Sequence, residues 1–206
     1  SILLAWEAAM STPIHNPRTP EVEVDSMFLD RWSPRAFVDE PIPEHELRSL
    51  FEAARWAPSC YNEQPWLFIY AVSREDRELF ATALVEKNRL WATRAPLLIF
   101  VLARRNFAAT GRPNRHGAFD SGAAWMSLAL QARKLGLYAH GMAGFDEEKA
   151  HEILGAPREE FEVMAAVAVG RRGDGSHLPD DLAAKEAPNT RKLLAEVALQ
   201  SRISRR

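Results

Sequence analysis

Apolar and polar residues follow one another along the chain in blocks that predict alternating helices and strands. Between Glu44 and Trp56 the apolar residues recur every three or four positions, which is the spacing of an amphipathic helix. The other predicted helices are 74–87, 119–135 and 146–154, and the predicted strands are 66–72, 96–103, 137–142 and 161–169. The 119–135 segment is apolar around most of its surface and ends before Gly136, so we expect a central helix with a left-handed glycine cap.

The ends of the chain have a different pattern from its middle. The segment from Thr12 to Pro20 is rich in proline and is predicted to be mobile, while Thr190–Leu199 has helical propensity but few apolar positions to bury in its own domain. We therefore divide the chain into a flexible N-terminal extension, residues 1–22, and one domain, residues 23–206. We expect the C-terminal arm of that domain to reach a partner subunit. Met10 is a candidate start, so it stays open whether residues 1–9 are native.

Charge and composition exclude several classes of function. The chain has 206 residues, and 26 Lys and Arg against 28 Asp and Glu give a net charge of −2, which offers no basic field for nucleic acid. The longest apolar run, Pro96–Ala103, is far shorter than the roughly 20 residues of a membrane span. With one cysteine, Cys60, the chain forms no internal disulfide, which favours a cytoplasmic location. The opening segment lacks basic residues and contains Glu7, so we do not expect export.

The chain shows no motif for acyl hydrolysis, for a P-loop or for a Rossmann dinucleotide site. Cysteine and histidine do not occur at zinc-ligand spacing, so no metal site is predicted. The histidines are scattered, and we interpret them as solvated or merely polar: His15, His45, His116, His140, His151 and His177. No catalytic side chain is therefore predicted, and a bound cofactor would have to supply the chemistry.

Three clusters could hold such a cofactor. The first, Arg31–Arg35, places two guanidinium groups around Ser33 and suits a phosphate. The second, Ala57–Trp66, carries amide and hydroxyl groups between two prolines, and the third, Gly136–Asp146, has small residues that let a flat ring approach the backbone. Each cluster alone also fits an ordinary turn or capping loop.

Taken in order, the motifs of the chain resemble those of the nitroreductase family. They are Arg-x-Ser-x-Arg-x-Phe at 31–37, Glu-Ala-Ala-Arg-Trp-Ala-Pro-Ser-x-x-Asn-x-Gln-Pro-Trp at 52–66, Ala-Pro at 95–96, Asp-x-Gly at 120–122, Leu-Gly-Leu at 135–137 and Arg-Lys-Leu-Leu at 191–194. The resemblance covers most of the chain, and the string ending in Trp66 is its most specific part. It implies an α+β fold: a three-layer α/β/α sandwich with a central mixed, mainly antiparallel sheet, in an intertwined homodimer with FMN sites at the interface.

The resemblance also implies which residues bind FMN. One subunit would hold the phosphate and the ribityl chain through Arg31, Trp32, Ser33 and Arg35, with Arg191 as a late cationic contact. The other subunit would contribute Pro58, Ser59, Cys60 and Asn62. The backbone along the flavin, with an N–H near N5, would come from Gly141, Met142, Ala143 and Gly144.

The implied activity is that of an FMN-dependent oxidoreductase. NADH or NADPH would donate hydride, and a small organic acceptor such as a nitroaromatic or a quinone would take the electrons in a ping-pong reaction. The alternatives are a specialised flavin-dependent dehydrogenase or reductive dehalogenase, and a flavin-binding protein without catalysis. Candidate pocket walls are Trp91, Phe107 and the basic stretch Arg104–His116, which we interpret first as a solvated loop. The acceptor, the choice of nicotinamide and the role of Cys60 stay open.

Overall fold

The structure is a computed structural model that describes residues 15–203. Its four strands form one sheet in the order β1-β2-β4-β3, and every pairing among them is antiparallel. The strands are β1 (Trp66–Ala71), β2 (Leu97–Arg104), β3 (Tyr138–Met142) and β4 (Phe161–Gly170). All four coincide with predicted strands to within about one residue at each end.

Eight α-helices lie within residues 15–203. They are α1 (Ser26–Asp30), α2 (Glu44–Arg55), α3 (Arg74–Ala81), α4 (Glu86–Ala92), α5 (Gly117–Lys134), α6 (Glu147–Leu154), α7 (Asp180–Ala183) and α8 (Leu194–Val197). The prediction of one helix over 74–87 is wrong, because the chain turns between α3 and α4. In that turn Leu84 is buried and forms an isolated bridge with Phe145, while the Ala83 carbonyl accepts the N–H of Asp146 at 2.7 Å.

Both faces of the sheet are covered, which confirms the three-layer α+β prediction. Alternate residues of β2 point to opposite faces. Ile99 packs in a buried cluster with residues of α2 and α5, and Phe100 packs in a second cluster with residues of α3, α4 and α6. The central position expected for α5 is therefore correct, and Gly136 follows it at φ +73°, in the left-handed region.

The two ends of the described chain lie against each other. Arg18 binds Asn189, and the N–H of Leu194 donates to the Glu21 carboxylate at 2.6 Å. Residues 1–14 of the predicted N-terminal extension lie outside the described residues. No helix within residues 15–203 has both the length and the apolar character that crossing a membrane requires.

Candidate functional site

Five cationic side chains line one cavity of about 520 Å³. Arg18 comes from the segment before α1, Arg31 and Arg35 follow α1, and Lys185 and Arg191 lie on either side of a proline-containing turn near the C-terminus. The rest of the lining consists of Trp32, Ser33, His140, Ala187, Pro188 and Asn189. The two chain segments that carry these cations are at least 150 positions apart and together build one strongly positive concave surface.

The cavity has no internal counter-charge. Among residues 15–203, none of its five cations lies within 4 Å of a carboxylate oxygen. Burial lowers the pKa of Arg31 and of Arg18, and the positive charge of Arg191 lowers both further. Cations that repel one another in a partly buried site favour an anionic ligand.

The buried carboxylate of Glu186 fixes the backbone at Arg35. Both Glu186 oxygens accept the Arg35 N–H, at 2.9 and 3.0 Å, and Oε1 also accepts the N–H of Ala36 at 2.9 Å. The same oxygen lies 3.6 Å from Nε of Arg172, and both side chains of this pair are less than 10% exposed. Glu186 is thus engaged with the backbone and with Arg172. The Arg35 guanidinium lies over the Trp91 ring, 5.9 Å from its centroid, and stays available to the cavity.

His140 stands in the cavity wall as a neutral imidazole. Its Nδ1 lies 2.8 Å from the carbonyl oxygen of Pro34, and because a carbonyl only accepts, Nδ1 carries the proton. Burial, together with the positive charges of Arg35 and Arg31, lowers the pKa of His140 to about 4, against the opposing effect of the backbone carbonyls. Of the two interpretations of this histidine, solvated or merely polar, the solvated one is wrong, since its ring packs 4.5 Å from the Trp91 ring.

This low pKa predicts a loss of stability in acid. The unfolded chain takes up a proton at the ordinary histidine pKa of about 6.5, whereas folded His140 resists protonation down to about 4. The free energy of unfolding of the ligand-free protein should therefore fall as the pH drops below about 6.5. Between about pH 7 and about pH 5 this histidine contributes a loss of about 2 kcal/mol. Urea titrations should show a shallower pH dependence for His140→Gln, and an unchanged slope would contradict the assignment.

A second cavity, of about 470 Å³, adjoins the cationic one and shares Arg31, Ser33 and Arg191 with it. Its wall also contains Gly141 of β3 and Trp125 of α5. A Cβ at Gly141 would lie 3.3 Å from the Trp125 ring, so the absence of a side chain there keeps the strand surface open. The cationic site is therefore continuous with an exposed stretch of backbone.

The backbone after β3 is held in place by the connection between α3 and α4. The Gly144 carbonyl accepts from the N–H of Val85 at 3.1 Å and from Nδ2 of Asn88 at 3.0 Å. A Cβ at Gly144 would lie 2.8 Å from Asn88 Nδ2, so glycine is required for this contact. The N–H groups of Ala143 and Gly144 have no acceptor among the described residues and can bind a ligand.

The loop between α2 and β1 forms a compact, strained structure. Tyr61, Asn62 and Gln64 have φ values of +53°, +56° and +52°, which cost energy in residues other than glycine. The loop is held by the buried carboxylate of Asp120, which accepts the Cys60 N–H at 3.0 Å, and by the Ser59 hydroxyl, which accepts the Gln64 N–H at 3.0 Å. A strained backbone that is held by several hydrogen bonds is typical of a loop that presents side chains for binding.

This loop and the cationic cavity lie at opposite ends of the sheet. Trp66, directly after the loop, pairs with Ala103 at one end of β2, whereas the cavity residue Gly141 of β3 is aligned, through Val167 of β4, with Ile99 toward the other end. Four residue steps of β2 separate Ile99 from Ala103, which corresponds to about 13 Å along the strand, and β1 and β3 are the two outer strands of the sheet. No predicted residue of this loop, Asn62 included, lines either cavity.

Comparison with known proteins places the chain in a family. The model described as "Nitroreductase family" matches residues 29–89 and 72–171, which is well over half of the chain. The chain belongs to the nitroreductase family. This membership makes it an oxidoreductase enzyme and confirms the resemblance found in its motifs.

Individual nitroreductase-family relatives agree with the match. A Thermus thermophilus protein named NADH dehydrogenase is 30% identical over 188 residues, covering 73% of this chain and 87% of that protein. A Streptomyces coelicolor protein, provisionally named NADH dehydrogenase/NAD(P)H nitroreductase, is 30% identical over 151 residues, or 63% of this chain and 74% of its own length. A crystal structure described as "the oxidoreductase containing FMN" has a TM-score of 0.87 and 45% identity, covering 94% of this chain and 99% of that one.

The structure divides the predicted site residues of this nitroreductase-family chain into two groups. The first lies at the two adjoining cavities, on β3 or on the backbone that follows it: Arg31, Trp32, Ser33, Arg35, Gly141, Met142, Ala143, Gly144 and Arg191. Within it the side chains of Trp32 and Met142 are buried, so only their backbone or ring edge can face a ligand. The second group lies on the strained loop at the other end of the sheet: Pro58, Ser59, Cys60 and Asn62.

Six residues of the cationic cavity were missed by the sequence analysis, and four of them are charged or polar: Arg18, His140, Lys185 and Asn189. Of the suggested pocket walls, one is buried and another is partly balanced in charge. Trp91 is 1% exposed within the core, so the suggestion that it lines a substrate pocket is wrong. In the basic stretch Arg104 and Arg105 lie 3.6 Å from Glu160 and Glu162, so much of its charge is already balanced.

Proposed function

We propose that this nitroreductase-family chain binds FMN and uses NADH or NADPH to reduce small organic acceptors, such as nitroaromatics or quinones, by a ping-pong reaction. The observation that carries the proposal is the cavity of five cations without a carboxylate partner, continuous with open backbone at Gly141. The FMN-containing relative at 45% identity and the nicotinamide-linked names of the two curated relatives support it.

The residues present fit FMN. Arg31, Arg35 and Arg191 supply charge-assisted hydrogen bonds for a phosphate dianion, and Ser33 adds a hydroxyl between them. The flat ring fits against backbone that has no side chain at Gly141 and Gly144 and that has unpaired N–H groups. When bound, FMN supplies the hydride and electron transfer for which the protein has no side chain. The protein binds and orients the ring and its two alternating substrates.

We further propose that the complete site contains two copies of the chain. No predicted residue of the strained loop lines the cationic cavity or the cavity beside it, and we infer that a second copy brings this loop to the cations. Exposed apolar side chains suit such an assembly, and many of them line a groove of about 500 Å³ between the two chain ends. These groove residues are Val22, Val24, Phe28, Leu193, Leu194 and Val197. In this homodimer, residues 190–199 form the arm that reaches the partner.

The loop would then act on the ring bound by the other subunit. Because Asp120 and Ser59 fix its backbone, the loop meets the ring in a preformed geometry. NAD(P)H and the acceptor would use the same open side of the site in turn, since the other side is closed by β3 and its following turn. A cytoplasmic location agrees with the single Cys60, which has no disulfide partner in the chain.

Reconstitution tests the proposal. The purified protein should take up FMN, and anaerobic addition of NADH or NADPH should bleach the flavin absorbance. Subsequent addition of a nitroaromatic or a quinone should restore the colour. Protein that does not retain FMN at micromolar concentration would contradict the proposal. FMN that stays oxidised with both nicotinamides would contradict the assignment of the donor.

A further inference from the structure

Arg18 connects three parts of the cationic cavity through one guanidinium group. Its Nη1 donates to the carbonyl oxygens of Leu29 at 2.8 Å and of Arg31 at 2.6 Å. Its Nε donates to the Asn189 carbonyl at 2.8 Å, and its Nη2 donates to Asn189 Oδ1 at 2.9 Å. Four of its five N–H groups are thus used, and one remains for a ligand in the cavity that Arg18 lines.

The same contacts determine where two other arginines stand. Asn189 Oδ1 accepts from Arg18 and, at 2.7 Å, from Nη1 of Arg191, so one amide oxygen holds both guanidinium groups. On the other side, the bond to the Arg31 carbonyl fixes the backbone that carries the Arg31 side chain. Arg18 therefore sits between Arg31 and Arg191, which come from opposite ends of the chain.

This arrangement costs energy when no anion is bound. Arg18, Arg31 and Arg191 repel one another, and this repulsion adds to burial in lowering the pKa of Arg18. Hydrogen bonds to neutral carbonyls satisfy the donors of Arg18 but do not cancel its charge. A dianion in the cavity would cancel the repulsion and make the contacts between the two chain ends more favourable.

We propose that Arg18 is a positioning residue for the phosphate group of the cofactor. It joins the segment before α1 to the 186–191 segment and sets Arg31 and Arg191 on two sides of the same anion. This inference rests on the proposed function, since it takes FMN as the ligand. It assigns a binding role to a segment whose sequence predicts only a flexible extension.

The proposal makes the contribution of Arg18 depend on the phosphate. Riboflavin has the same ring and the same ribityl chain as FMN but lacks the phosphate, so it tests the rest of the site. Removing Arg18 should weaken FMN binding about tenfold, which is the size of one lost charge-assisted interaction, and should change riboflavin binding less than about twofold. A residue that only supported the fold would weaken both ligands equally.

The experiment measures dissociation constants of FMN and riboflavin by flavin fluorescence for the wild type and for Arg18→Ala. Arg74→Ala is the matched control, because Arg74 is an exposed arginine of α3 that lines neither cavity and pairs only with the exposed Glu78 among the described residues. This control should change neither constant by more than about twofold, since a remote exposed charge is screened by salt. If Arg18→Ala does not fold, Arg18→Lys keeps the charge but loses the planar fork, and it should show the same selective loss.

A selective loss of FMN affinity supports the proposal. Equal losses for FMN and riboflavin, or no loss for either, would overturn it while leaving the proposed function intact. A wild-type protein that binds FMN no better than riboflavin would overturn the phosphate assignment itself. Amide hydrogen exchange provides a second measurement. FMN should slow exchange in residues 15–31 and 186–191 of the wild type, and this slowing should be smaller in Arg18→Ala.

Discussion

Replacing Arg31 by alanine is expected to weaken FMN binding about 10- to 100-fold. Arg31 lines both adjoining cavities, and no carboxylate among the described residues lies within ion-pair distance of it. Its charge is therefore free for the phosphate, and truncation removes at least one charge-assisted hydrogen bond of about 1.5 to 3 kcal/mol. The measurement is the dissociation constant of FMN at a fixed ionic strength.

Two variants make this result specific. Arg31→Lys keeps a positive charge but lacks the bidentate fork, so its affinity should fall between those of the wild type and Arg31→Ala. Arg74→Ala removes an exposed arginine of α3 that lines neither cavity and should leave FMN affinity within about twofold. Equal affinities for the wild type and Arg31→Ala would show that the phosphate is bound elsewhere.

The second large effect is expected at Asp120. This carboxylate is 4% exposed, lies in the first turn of α5 and accepts the Cys60 N–H at 3.0 Å. Asp120→Ala removes the acceptor and a negative charge that interacts favourably with the helix dipole, at a cost of about 2 to 3 kcal/mol in unfolding free energy. The strained Tyr61–Gln64 backbone should then lose its anchor and become more mobile.

Cys60 provides a built-in probe of this loosening. Its thiol is partly exposed and is the only one in the chain, so its reaction with a disulfide reagent reports on the loop alone. We expect the rate to rise about tenfold in Asp120→Ala as the loop opens. Asp120→Asn keeps an acceptor oxygen and should show a smaller effect on both rate and stability. Unchanged stability and thiol reactivity in Asp120→Ala would contradict the anchoring role.

The sequence predicts the layers of the fold well because burial imposes a period on each element. The strands and α5 are recognised from apolar runs that the structure places inside the sandwich, such as Leu97–Ala103. The prediction of one helix over 74–87 is wrong because burial at Leu84 depends on a distant residue. The charged residues of this segment fit one long helix, but Leu84 forms a bridge with Phe145, about 60 positions away. No local pattern encodes that contact.

The residues of the candidate site could be predicted only where they form a short motif of neighbouring residues. Arg31, Ser33 and Arg35 form a short motif, and the structure places all three at one cavity. Arg18 has no such signature, because its partners are mainly backbone carbonyls that every residue has. The neutral state of His140 likewise depends on Pro34 and Trp91, which are distant in sequence. Contacts of this kind appear only once the chain is folded.

The most direct test of the account is a mixing experiment between two variants. Arg31→Ala and Asn62→Ala each damage one half of every site in their own homodimers, so each alone should show little NAD(P)H-dependent reduction. In a mixed dimer, one site receives both defects and the other receives an intact Arg31 and an intact Asn62. Statistical mixing after mild unfolding and refolding should therefore restore about a quarter of the wild-type activity. Mixtures that stay as inactive as the separate variants would contradict a site built from two chains.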